Sequence, residues 1–375
     1  MSHYPEAVYW LTLIQDSGLK LNRIKPIIQR WCLVEQRSAA DLFELTPLDW
    51  STTFGLTNHE AEPLPALSQK LEAHHQAITA WQAQGIETLT RTDPRYPKRL
   101  GYPLPPVQQP LLLWAQGNLD LLSRPGLTIL GQDSPTDPAF FNELLDSLIQ
   151  NKINLIGGYN RGLDRDSITA MLSAGGQAVA VLPMGLSAFA GVTASLIQPL
   201  KDGQIALVSP FTPDAHFQER LADARNLLID HMALILLILE PNEEIQQRSA
   251  AALNRDVPVL MTRPQTITDS HRALLGEGAI LLTDTGEVIE MAQQAVLDAA
   301  LADEEDEHEQ PPATPTTPPP DNMLPAESNE DYALRVNDIG PIDPDEAEEI
   351  LSMGGEIPQI LQERLQELKK NQPEE

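Results

Sequence analysis

From Gly126 onward, short apolar runs alternate with helical ones, and that alternation limits the possible folds more than any other feature of the chain. Strand-like runs at 127–130, 153–156, 177–182, 205–208, 233–239, 257–261 and 279–282 are separated by stretches of helical character. These helical stretches lie at 139–150, 164–173, 193–200, 217–231 and 243–254, with a closing helix to about residue 300. Strands that are apolar throughout, and separated by helices, belong to a mostly parallel sheet covered on both faces. The run at 233–239 is the most apolar and is expected to be central. Such sheets bind ligands at the carboxyl ends of their strands. That rule places Gly131, residues 157–162 and residues 183–185 along one rim.

Within that rim, Lys152-Ile153-Asn154-Leu155-Ile156-Gly157-Gly158-Tyr159-Asn160-Arg161-Gly162-Leu163-Asp164 carries the strongest local signal. A buried strand stops at two glycines and restarts as a helix near Asp164. The first N–H groups of a helix have no partner within it, and with the helix dipole they favour an anion, usually phosphate. Gly157, Gly158 and Gly162 let the backbone turn sharply and approach a ligand. The same glycines serve any strand-to-helix turn, so the loop alone leaves function and structure both open. Asp164 and Asp166 read as helix cap and first-turn acid rather than as a catalytic pair.

Ahead of the alternating region, residues 4–84 read as four or five short helices. Val8, Leu11 and Ile14 form one apolar stripe, and Ile24, Ile27, Ile28 and Trp31 form another. Ser38 is expected to cap a helix with Asp41 as its box partner. Residues 85–121 connect the two parts through strands at 86–89 and 110–114, with turns at 92–97 and 117–118. His74 and His75 are adjacent on a helix and point about 100° apart, so they do not make a shared metal site. The single cysteine, Cys32, excludes an intrachain disulfide and reads as a small buried apolar side chain.

The formal net charge is −29, which argues against a general polyanion binder. Residues 301–375 hold 21 acidic against 4 basic side chains, leaving −12 on the first 300. Any nucleic-acid site is therefore a local patch. Seven of the fifteen residues 311–325 are proline, a linker composition. The expected organisation is a helical domain at 1–84, an α/β domain at 85–300, an acidic, proline-rich linker at 301–329 and an acidic tail at 330–375. The start of the chain has no basic segment followed by an apolar one, and no apolar run is long enough to span a bilayer, so a cytoplasmic protein is expected.

The order of motifs resembles that of the DNA-processing protein A (DprA, or Smf) family. Asp93-Pro94-Arg95-Tyr96-Pro97-Lys98-Arg99-Leu100 is followed by Pro110-Leu111-Leu112-Leu113-Trp114-Ala115-Gln116-Gly117-Asn118-Leu119 and then by a strand ending in glycine. Gly158 to Asp164 has the spacing of the family's S-G-x-A-x-G-I-D loop, Gly175 to Gly185 parallels its G-G-x-T-I-A-V-L-x-x-G, and Arg225-Asn226 falls where it carries R-N-R. The resemblance covers roughly residues 10–297. It implies a Rossmann-like sheet behind a small SAM- or helix-hairpin-helix-like domain. It also implies a single-stranded DNA-binding dimer that helps load a RecA-type recombinase in recombination or natural transformation, with no cofactor and no chemical step. The DNA or phosphate contacts it implies are Gly131, Gly157, Gly158, Arg161, Gly162, Asp164, Arg225 and Asn226, with Arg161 as the cationic contact.

Several positions depart from the family pattern. Its first loop ends glycine-serine-arginine, where this chain has Gly131-Gln132-Asp133. The histidine four residues after the loop aspartate is Ile168, and the second arginine of R-N-R is Leu227. Pro241-Asn242-Glu243-Glu244-Ile245 replaces an S-G-S-x-x-T-A segment, and the usual C-terminal winged helix is not evident. These changes keep a second reading open, a scaffold or regulator on the same fold that binds a protein partner. A nucleotide-handling hydrolase of the Rossmann group is the remaining alternative. Its P-G-G-x-G-T-x-x-E loop is not matched here, since residues 157–162 lack both the threonine and the glutamate.

Overall fold

The computed structural model describes residues 4–100, 108–131, 137–160, 162–189, 194–218, 220–264, 266–282 and 284–308. The expected proline-rich linker and the tail beyond residue 308 lie outside the described residues, as do Gln132, Asp133 and Arg161.

The chain opens with α1 (Glu6–Asp16), α2 (Leu21–Ile28), α3 (Ala39–Leu42), α4 (Pro47–Phe54), α5 (Asn58–Ala61) and α6 (Leu71–Ala83). A π-helical turn, Gln29–Val34, continues α2, and the apolar stripe from Ile24 to Trp31 runs through both and is buried. Ser38 does cap α3, accepting from the Ala40 N–H at 3.2 Å, but Asp41 does not complete a box in so short a helix. Capping boxes close instead at Thr46–Asp49 and Thr57–Glu60. His74 pairs with Asp16 and His75 lies edge-on to Tyr4, so the two rings do diverge.

Cys32 is 5% exposed, and its thiol is pushed up to about 12 by burial, with a smaller push from nearby Glu6. At pH 8, iodoacetamide should therefore alkylate it roughly a thousandfold more slowly in the native protein than in urea, where free thiols titrate at about 8.5. Equal rates would contradict this burial. Because the folded value is the raised one, the thiol's stabilising contribution is complete below the unfolded value and fades as pH climbs toward 12.

The remaining elements are β1 (Ile86–Thr90), β2 (Leu112–Gly117), β3 (Gly126–Leu130), α7 (Pro138–Gln150), β4 (Asn154–Gly157), α8 (Leu163–Ser173) and β5 (Ala178–Val181). They continue with α9 (Ala194–Lys201), β6 (Ile205–Ser209), α10 (Arg220–Met232), β7 (Ile235–Ile238), α11 (Glu243–Leu253), β8 (Val259–Met261), α12 (Asp269–Glu277), β9 (Ile280–Leu281) and α13 (Thr285–His308). The last helix thus carries the regular structure eight residues beyond 300. The described strands form one sheet in the order β1-β2-β6-β5-β4-β3-β7-β8-β9. β1, β2 and β6 pair antiparallel, and all pairs from β6 to β9 are parallel.

Side-chain alternation divides the sheet into two apolar faces. Leu127, Ile129, Leu155, Ala178 and Leu237 pack with α1, α7, α8 and α13, while Ile156, Val179, Leu130 and Ile238 pack with residues of α10, α11 and α12. This is an α/β, Rossmann-like sheet with helices on both faces and a helical region before it. The most apolar strand, β7, is buried and paired on both edges, but β4 holds the middle position. Apolarity reports burial on two faces, which every inner strand shares, and not a strand's rank in the order. No described helix is long and apolar enough to cross a membrane.

Strand order reverses between β3 and β7. β4, β5 and β6 are added on one side of β3, and β7, β8 and β9 on the other. A crevice at such a switch point, at the carboxyl ends of the strands, is where doubly wound sheets place their ligands.

Candidate nucleic-acid interface

Gly131 stands at the switch point. A Cβ there would lie 2.7 Å from Leu163 Cδ2 and 3.6 Å from the Glu240 nitrogen. A side chain there would have to displace the Leu163 methyl at the start of α8, beside the end of β7. On the next strand, β4 ends at Gly157, and the chain passes through Gly158, Tyr159 and Asn160 into α8. Gly162 has φ +85° and ψ −146°, a conformation that disfavours a side chain. Tyr159 is buried edge-on against Phe189, with ring centroids 6.1 Å apart, and anchors the middle of the loop.

Asp164 does not cap α8. The cap position is Gly162, no side chain caps the helix, and the Arg165 N–H takes the Asn160 carbonyl at 3.1 Å. The Asp164 carboxylate turns instead toward α10, where its Oδ2 accepts from Arg225 Nη1 at 3.0 Å. With its side-chain oxygen turned inward, Asn160 accepts from both Nη atoms of Arg225, at 3.0 and 3.1 Å. A Cβ on Gly158 would lie 1.9 Å from Arg225 Nη1 and 2.3 Å from Asp164 Oδ2, so that glycine is the floor on which the ion pair rests. α8 packs on one face of the sheet and α10 on the other. The Asp164–Arg225 pair joins them across the carboxyl edge.

Asn226 follows Arg225 by one position, so it points about 100° away around the helix. Its Nδ2 donates to Glu244 on α11 at 2.9 Å. Arg248, also on α11, grips Asp230 of α10 through two bonds of 2.7 and 3.0 Å. Desolvation lowers the Arg225 guanidinium below its ordinary value, only partly offset by Asp164. Arg248 is desolvated too, but the Asp230 hydrogen bonds and charge outweigh that, and its net shift is upward. Two arginines thus face three carboxylates, and the first turns of α8 and α11 add Asp166 and Glu243. In the Asp164–Arg225 pair the acid is the more exposed partner, and in the Asp230–Arg248 pair the cation is.

The structure therefore brings Gly131, Gly157, Gly158, Gly162, Asp164, Arg225 and Asn226 to one end of the sheet. Arg225 and Asn226 are buried there, at 5% and 9% exposure. Residues 183–185 lie at the end of β5, where Gly185 is locked against the 212–215 turn. Sequence reasoning missed the work of the Asp93–Leu100 motif. Arg95 bonds Asp93 and Glu87, Tyr96 Oη donates to the Pro110 carbonyl at 2.6 Å, and Arg99 donates to the carbonyls of His231 and Ala233 at 3.3 and 3.2 Å. The motif clamps the C-terminal end of α10, and so fixes the helix that carries Arg225. Its dense mixture of arginines, prolines and a tyrosine was the available signal. Among the described residues no cluster of His, Cys, Asp and Glu could hold a metal ion.

A family model described as DNA recombination-mediator protein A matches residues 87–293, more than half of the chain. The chain belongs to this family. The DNA processing protein DprA of Streptococcus pneumoniae is 25% identical over 189 residues, which are 48% of this chain and 66% of that protein. The chain thus spans just under two thirds of that relative's length. The X-ray structure of the S. pneumoniae protein matches with a TM-score of 0.54 at 21% identity, covering 76% of this chain and 97% of the other, a likeness of fold. A Helicobacter pylori DprA structure, described by its single-stranded DNA binding mode, gives a TM-score of 0.46 at 19% identity over 56% of this chain and 96% of its own. In this DprA family member the matched region takes in β1 through the first part of α13, and with it the whole carboxyl rim.

Proposed function

We propose that this DprA family member binds single-stranded DNA along the carboxyl rim of its sheet and acts as a recombination mediator. In that role it would deliver a RecA-type recombinase to the strand, as a cytoplasmic homodimer and without a chemical step. The observation that carries this reading is a glycine-built strand-to-helix loop beside the switch point, inside the region matched by the mediator family. Backbone groups at Gly131, Gly157, Gly158 and Gly162 would approach phosphates, and Arg161 would supply the cation. Arg225 stands behind that surface and holds the loop to α10, while Asn226 ties α10 to α11. Phosphate contacts of this kind position a strand without reading its sequence. Fluorescence anisotropy with a labelled single-stranded oligonucleotide tests the assignment. Arg161→Ala should weaken binding about tenfold at low salt, and equal affinity would remove Arg161 from the site.

One observation favours the second reading, a protein-binding scaffold on the DprA fold. Arg225 and Arg248, two cations of the rim, are already neutralised by the protein's own carboxylates. On that reading no salt-sensitive DNA binding is expected.

A further inference from the structure

We infer that Asp164 is a built-in guard, a carboxylate that occupies the guanidinium of Arg225 and must be displaced before a phosphate can reach it. The inference rests on the DNA-binding reading and names how that site is regulated.

Three features carry it. First, the two partners are unequally placed, with 29% of the Asp164 side chain exposed and only 6% of Arg225. The acid sits toward solvent and the cation behind it, so an anion arriving at the rim meets Asp164 first. Second, Arg225 retains unused capacity, since its Nε is buried and finds no hydrogen-bond partner among the described residues. The neighbouring Asn226 Oδ1 is likewise unsatisfied. Buried polar groups are normally paired with protein or water, so the Arg225 Nε has capacity for one more acceptor. Third, Gly158 leaves no side chain between the pair and the loop backbone, so the carboxylate lies against the segment a phosphate would approach. A carboxylate and a phosphate each offer a guanidinium a pair of anionic acceptors, so the exchange conserves the hydrogen bond to Arg225.

The test compares the full-length protein with Asp164→Asn and Glu243→Gln by anisotropy on a labelled single-stranded oligonucleotide across a salt series. Both variants remove one negative charge from a helix first turn at the rim, but only Asp164 touches Arg225. The amide oxygen that Asp164→Asn introduces can still accept from Arg225, so the loop should keep its shape, which a melting curve checks. A guard predicts about tenfold tighter binding for Asp164→Asn and a salt slope steeper by about 0.7, the increment for one more neutralised phosphate. Glu243→Gln should gain less than about twofold, as expected of an exposed charge. Equal gains from both variants would reduce the effect to bulk charge and overturn the guard. Weaker binding by Asp164→Asn would overturn it too, making Asp164 a positioning residue for the loop. If no protein in the series binds, the DNA-binding reading itself fails. Wild-type binding with no gain in Asp164→Asn removes the guard alone.

Discussion

Replacing Gly185 by alanine is expected to cost about 3 kcal/mol of stability, as overpacking plus broken backbone hydrogen bonds. A Cβ at this position would lie 2.2 Å from the carbonyl oxygens of both Thr212 and Pro213. Those atoms are backbone and cannot rotate away. The turn is fixed by hydrogen bonds on both sides, with Gly185 N–H donating to the Ala215 carbonyl at 2.7 Å and Ser187 and Ala188 N–H groups donating to Pro213 at 2.8 and 3.1 Å. Opening it also loosens the attachment of the N-terminal helices, because Trp81 Nε1 on α6 donates to Asp214 at 3.2 Å. Urea denaturation of Gly185→Ala measures the loss. A midpoint equal to that of wild type would show that the two loops are not seated as described.

The second large effect is expected from Arg225→Ala. Removing one member of a buried ion pair generally costs ~3–5 kcal/mol, and the lower end applies here because Asp164 can turn toward water. The loss is not that of the Asp164 contact alone, since the Asn160 amide loses both of its donors and the loop is released from α10. Arg225→Met, which keeps the aliphatic stem, should recover part of the stability but not the loop geometry. Urea denaturation of the three proteins decides the matter. If Arg225→Ala unfolds at the wild-type midpoint, the guanidinium is not a structural tie between α8 and α10.

Much of this architecture was legible in the sequence because it follows from local periodicity. Each apolar run between 126 and 282 became a strand and each predicted helix formed, since an apolar run flanked by helices has only a sheet interior to enter. The loop at Gly157 and Gly158 was legible for the same reason. The role of Asp164 was not. Whether an acid near the start of a helix caps that helix or pairs elsewhere depends on what stands opposite, and here that is a residue 61 positions further on. The two meanings of Arg225-Asn226 were hidden in the same way. Consecutive residues on a helix face different neighbours, and only the tertiary placement of α10 assigns one to Asp164 and the loop and the other to Glu244 on α11. The Asp93–Leu100 motif looked like a run of turns because its partners, Glu87, Pro110 and the end of α10, are distant in sequence.

The order of the rim explains how a chain of net charge −29 can belong to a family of DNA mediators. Near the switch point Arg225 and Arg248 are each paired with a carboxylate of the protein itself. Long-range attraction of a polyanion is therefore weak. On the proposed reading, binding would depend on contacts made at the loop itself, where the Asp164 carboxylate would be exchanged for a phosphate.

The most direct measurement is the salt dependence of single-stranded DNA binding by the full-length protein. The affinity of a labelled oligonucleotide should fall as salt rises, with a log–log slope of about −0.7 for each phosphate neutralised, and Arg161→Ala should flatten that slope by one such increment. Binding that is absent at low salt, or indifferent to salt, would contradict a phosphate-binding rim and leave the fold serving a protein partner.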